Sequence, residues 1–154
     1  MQKYKFIIIF FIVIAALLYV AYYNLSYFNT QVSVVEIKGH NFDTDVVQSF
    51  ADIERGLSGR ASMDDNQAML FVFPDKQKRT FWMKEMNFAI DLLWIDGQQI
   101  VAYEKNMLAP VKDLSISELP RYTSPQPVDK VLEIQAGLID SLDIKIGDNI
   151  NINI

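Results

Sequence analysis

The chain has 154 residues, enough for one domain with a sizeable core and too few for two ordinary ones. It has no cysteine, which excludes disulfides, thiolate metal sites and cysteine nucleophiles. Lys3 and Lys5 aside, 12 basic residues face 19 acidic ones, a formal −7 with no basic stripe, so nucleic acid is not an expected partner.

Phe6 to Tyr23 is an unbroken apolar run. As a helix it would span about 27 Å, close to the roughly 30 Å of a bilayer core. Tyr19, Tyr22, Tyr23, Tyr27 and Phe28 crowd its distal end, where amphipathic rings favour the headgroup layer. Lys3 and Lys5 lie on the near side and keep the N-terminus cytoplasmic. The competing reading is a cleaved signal peptide, but its core should be shorter. The candidate sites after Ala16 and Ala21 also place Ile14 and Tyr19 where a small residue is wanted. Residues 1–28 are therefore expected to be one uncleaved transmembrane anchor touching the membrane through residues 6–23. Residues 29–154 are expected to form an extracytoplasmic domain, with Asn24 to Gln31 as a short tether.

Val32 to Lys38 alternates and is rich in β-branched residues, a strand pattern. Gly39-His40-Asn41 is turn chemistry, with Asp43 to Gln48 returning as the second strand of a hairpin. Ser49 can cap a short helix whose apolar face would be Phe50, Ile53 and Leu57, with Gly59 as its stop. Gly56 falls inside that helix at a cost of roughly 1 kcal/mol, which implies close packing on a neighbour. Met69 to Phe73 reads as a strand buried on both faces. Pro74 to Arg79 reads as an exposed basic turn, and Thr80 to Met83 resumes a strand. Ile90 to Ile95 and Gln99 to Glu104 flank Asp96-Gly97, the strongest short hairpin pattern in the chain.

Asn106 to Val128 holds four of the five prolines and no sustained period, the texture of a long functional loop. Val128 to Ile134 is a further strand, Ala136 to Leu142 a short helix, and Asn149 to Ile154 a closing strand. Together these elements predict a mainly β fold: a small jelly-roll-like sandwich or barrel with two short helices, preceded by one transmembrane helix.

Five stretches in order resemble the DUF192 (UPF0127) family: Gly56-Leu57-Ser58-Gly59-Arg60, Met69-Leu70-Phe71-Val72-Phe73, Phe81-Trp82-Met83-Lys84, Ile90-Asp91, and Val131-Leu132-Glu133 with Ala136-Gly137. The resemblance covers about residues 32 to 149. Ala68 and Ala89 depart from it, standing where glycine and proline are usual; they alter backbone freedom and not side-chain chemistry. The resemblance implies a β-rich, jelly-roll-like domain, often exported or membrane-anchored, and supplies no function.

Arg60, Trp82, Lys84, Asp91 and Glu133 are the polar and aromatic residues of these motifs and the candidate ligand-binding set. On a functional reading they converge on a cleft beneath the proline-rich loop. Arg60 and Lys84 would bind an anionic or hydroxylated ligand, Trp82 would stack on it, and Asp91 and Glu133 would accept hydrogen bonds. On a structural reading Arg60 and Asp91 form a buried ion pair, and Trp82 is core. Asp91 and Glu133 could also act as the paired carboxylates of a glycoside hydrolase. Met63, Met69, Met83 and Met86 are soft enough to hold Cu(I) but fit core packing better.

His40, the sole histidine, lies in an expected turn, and no G-x-S-x-G elbow, Walker A, G-x-G-x-x-G or EF-hand pattern occurs. No catalytic residue, metal or cofactor is assigned. The reading is a non-catalytic binding or interaction module at the outer membrane face, with an envelope carbohydrate or a protein as partner. The alternative is a carbohydrate-active enzyme of the cell envelope.

Overall fold

The computed structural model describes residues 12–16, 18–19, 32–111 and 114–153. The chain divides into Met1–Thr30 and Gln31–Ile154. In the first unit, residues 12–16 and 18–19 are helical. The rest of the expected anchor and its tether lie outside the described residues, among which no helix is long and apolar enough to cross a membrane.

The second unit is built on nine strands: β1 (Val32–Ile37), β2 (His40–Val47), β3 (Gln67–Gln77), β4 (Thr80–Phe81), β5 (Ile90–Asp96), β6 (Gln99–Met107), β7 (Tyr122–Thr123), β8 (Val128–Gln135) and β9 (Ile150–Asn153). Two short helices, α1 (Phe50–Arg55) and α2 (Leu138–Ser141), interrupt them. Seven strands form one sheet in the order β6-β5-β8-β3-β2-β1-β9, and β4 pairs with β7 apart from it. All neighbours in the sheet are antiparallel except β2 and β3. That one parallel pair requires a crossover, which carries α1.

The expected mainly β fold, a sandwich or barrel, takes the form of a single curled sheet, a half-barrel. Its two edges meet at one end, where Gln99 bridges Asn149. There the amide of Ile100 donates to the Asp148 carbonyl at 2.9 Å, and that of Ile150 to the Gln98 carbonyl at 2.8 Å. Closing edge on edge removes unpaired backbone groups that would otherwise template aggregation.

Strand alternation divides the apolar residues between two cores. The first draws on all seven strands, as the inside of a curl does: Val35, Ile37, Phe42, Leu70, Leu93, Ile95, Ile100, Leu132, Ile134 and Ile150 belong to it. The second covers the opposite face with Val47, Met69, Phe71, Leu92, Trp94 and Val131, packed beneath Leu57 and Met63. Central strands that bury both faces carry continuous apolar runs, which is why Met69–Phe73 and Leu92–Ile95 lack a polar side. Met63, Met69, Met83 and Met86 all lie in the second core. Thioether packing, not exposed ligand geometry, describes them.

Several local expectations need correction. Gly56 ends α1 instead of sitting inside it: its φ of 49° and ψ of −134° suit glycine almost alone. Phe50 is 83% exposed, so the apolar face of α1 does not include it. β3 continues through the expected turn to Gln77, and the following strand is only Thr80–Phe81, because β4 leaves the main sheet to pair with β7. His40 opens β2 and rests on Phe42, the ring centroids 4.5 Å apart. The Asp96-Gly97 hairpin forms as expected, Asp96 pairing with Gln99.

Candidate functional site

On the second-core face, α1, the turn after it and the β4–β7 pair rise around a cleft of about 520 Å³. That volume lies within the roughly 300–1,000 Å³ usual for small-molecule sites. Ser49 starts α1 as its cap, its hydroxyl accepting from the Asp52 amide at 3.2 Å. The turn after α1 is pinned to the segment after β4: Ser58 Oγ donates to the Lys84 carbonyl at 2.8 Å and the Gly59 amide to the Glu85 carbonyl at 2.9 Å. β4 and β7 are joined by the side chains of Thr80 and Thr123, 2.9 Å apart, and by the Ser124 amide donating to the Arg79 carbonyl at 2.9 Å. The walls are thus held by hydrogen bonds between distant parts of the chain.

The lining is aromatic and cationic. Phe71, Phe73, Phe81 and Trp82 contribute rings; Arg55, Lys78, Arg79, Lys84 and Arg121 contribute positive charge. Phe81 stands edge-on to Phe71 at 4.9 Å and to Trp94 at 5.7 Å, tying the wall to the core. The Arg121 guanidinium lies 4.2 Å above the Trp82 ring, and that of Arg79 lies 4.0 Å above Phe73. Arg79 also donates through Nη2 to the Asp75 carbonyl and carboxylate, while its Nε is buried without a partner among the described residues.

Glu133 enters this wall from β8. It is 5% exposed, and its Oε2 has no hydrogen-bond partner among the described residues. Burial pushes its carboxyl up to about 8, with the Arg60 guanidinium pulling the other way. A carboxylic acid that stays neutral at pH 7 can donate a hydrogen bond as well as accept one.

Asp91 is a different kind of buried acid. Fully buried, it accepts from the amides of Asn106 at 2.8 Å, Gly137 at 3.0 Å and Ile139 at 2.9 Å. Those amides close β6, where Asn106 has a φ of 50°, and start α2, so Asp91 joins three parts of the fold. Asp91 faces Ile134 across the β5–β8 pair, whereas Glu133 faces Leu92. Side chains of adjacent strand positions point to opposite sides of a sheet, so the two carboxyls lie on opposite faces.

The structure therefore separates the five sequence candidates. Trp82, Lys84 and Glu133 line the cleft together; Asp91 is absent from its lining. Arg60 lies outside the lining and bonds to Asp45 at 2.6 Å, which replaces the expected Arg60–Asp91 ion pair. Trp82 is half-buried at the cleft; the core tryptophan is Trp94, with no exposed surface. The carboxylate pair proposed for hydrolysis is not assembled.

Phe73, Lys78, Arg79 and Arg121 were not among those candidates. The basic run Lys76 to Arg79 was visible as a charged turn, but the β4–β7 pairing that brings Arg121 to it has no local sequence pattern. Among the described residues no group of histidine and acidic side chains could hold a metal ion.

Two solved structures share the architecture. One is a protein of Sinorhizobium meliloti 1021 described as a candidate transcription regulator, 23% identical, with a TM-score of 0.68 over 78% of this chain and 91% of that one. The other is a protein of unknown function from Novosphingobium aromaticivorans DSM 12444, 25% identical, with a TM-score of 0.65 over 77% and 82%. No curated protein matches the chain. The DUF192 profile (uncharacterized ACR) matches residues 33–152, which take in both short helices and all of the curled sheet but Val32 and Asn153. The chain belongs to the DUF192 family.

Proposed function

We propose that this protein is a membrane-anchored binding module. In this reading residues 6–23 span the bilayer, the β domain stands on the extracytoplasmic side, and the cleft takes a small envelope-derived ligand without transforming it. The apolar run and its flanking lysines support the anchor. One observation supports the binding site: among the described residues Glu133 is buried in the wall of a cleft with an unpartnered oxygen, while Asp91, also deeply buried, has three donors. Buried polar groups are nearly always satisfied, so an orphan at a cleft wall is a place for a ligand atom.

The site is tested by following tryptophan emission of the full-length protein in phosphatidylcholine nanodiscs against envelope saccharides and peptides. A ligand that enters the cleft changes the Trp82 signal, and Trp82→Phe removes the change while Trp94 still emits. No response from any compound, or a response that survives Trp82→Phe, would oppose the reading. The anchor is tested by external protease on intact cells, which should digest a C-terminal tag.

A further inference from the structure

Among the described residues, two buried atoms that lack hydrogen-bond partners belong to residues of this cleft: Arg79 Nε and Glu133 Oε2. The first is an obligate donor. The second belongs to a carboxyl able to donate and accept, which suits a hydroxyl group, itself both donor and acceptor. Around them stand Lys78 and Arg121, and among the described residues Glu54 is the one other acid in the lining.

A cationic cleft on a domain of formal charge −7 selects for anions against the field of the rest of the surface. Arg121 has no ion pair with a carboxylate among the described residues. Its guanidinium carbon sits over the Trp82 ring, 4.2 Å from the centroid, which positions the group by cation–π attraction beside the cleft where its N–H donors can meet an oxyanion. The half-buried rings of Phe73 and Phe81 supply apolar surface for the C–H groups of a sugar.

We infer that the cleft binds an anionic sugar, its carboxylate or phosphate held by Lys78, Arg79 and Arg121 and a ring hydroxyl placed against Glu133. This rests on the binding-module reading and gives that site its ligand class. No bond is made or broken.

The test is calorimetric titration of the full-length protein in phosphatidylcholine nanodiscs with D-glucuronate, D-glucose 6-phosphate, D-glucose and inorganic phosphate. At least one anionic sugar should bind ten or more times tighter than both D-glucose and inorganic phosphate. Which of the two anionic sugars does so distinguishes a uronic acid from a sugar phosphate. Lys78→Ala with Arg121→Ala should abolish that advantage with the melting temperature unchanged. If the variant is unstable, raising salt from 50 to 500 mM should weaken the anionic sugars selectively.

Equal affinity for D-glucose would overturn the charge selection while leaving the cleft as a binding site. Equal affinity for inorganic phosphate would overturn the sugar. Absence of heat with all four would overturn the inference. The wider reading falls with it only if Trp82 emission also fails to respond to every saccharide and peptide.

Discussion

Replacing Glu133 by Gln isolates a buried carboxyl whose Oε2 has no hydrogen-bond partner among the described residues. Gln has nearly the shape of the protonated acid but cannot ionise. In the unfolded chain the carboxyl titrates near 4.5; in the folded protein burial holds it up to about 8. Below the lower value both states are protonated and the wild type and variant should be nearly equal in stability. Between the two values the folded protein keeps a proton that the unfolded chain has lost, so unfolding releases it and wild-type stability falls as pH rises.

The loss is about 1.4 kcal/mol per pH unit in that window, on the order of 3 kcal/mol by pH 7, and it levels off above pH 8. Against a typical total of about 5–15 kcal/mol this is large. Urea unfolding of wild type and Glu133→Gln at pH 5, 6, 7 and 8 reads the difference directly, the variant gaining on the wild type at each step. Because other acids titrate alike in both proteins, they cancel. Parallel curves across the range would refute the claim that Glu133 is buried and neutral.

Asp91→Ala removes the shared acceptor of three backbone amides, that of Ile139 buried and those of Asn106 and Gly137 partly so, and should cost about 3–5 kcal/mol, seen as a lowered urea midpoint or failure to fold. Gly56→Ala forces a side chain into a backbone region reserved for glycine, beside the Phe71 ring 3.5 Å away. Its cost of about 1–3 kcal/mol should appear as a lower melting temperature. Arg60→Ala removes the charge that opposes the rise in Glu133, so the Glu133 midpoint in a carboxyl NMR titration should move upward. Loss of the partly exposed Arg60–Asp45 pair should change stability by about 1 kcal/mol or less.

Much of the scaffold was legible because local chemistry and tertiary structure agree. The Asp96-Gly97 hairpin, the Ser49 cap and the doubly buried Met69–Phe73 run each express a short-range rule. What was not legible depends on long-range geometry. The curl that joins Gln99 to Asn149 separates a half-barrel from the sandwich that the same strands also allowed, and no pattern within either segment encodes it. Motif membership grouped Asp91 with Glu133, yet strand register sends them to opposite faces and gives one a full set of donors. Arg121 lay in a proline-rich stretch without periodicity, and only the pairing of β7 with β4 sets it over Trp82.

A carboxyl-carbon NMR titration of Glu133, alone and with saturating D-glucuronate or D-glucose 6-phosphate, addresses the poised cleft most directly. The free protein should titrate near pH 8, and the midpoint and chemical shift should both move when an anionic sugar is bound. A midpoint in the ordinary carboxylate range of about 4, with no response to either sugar, would contradict the account.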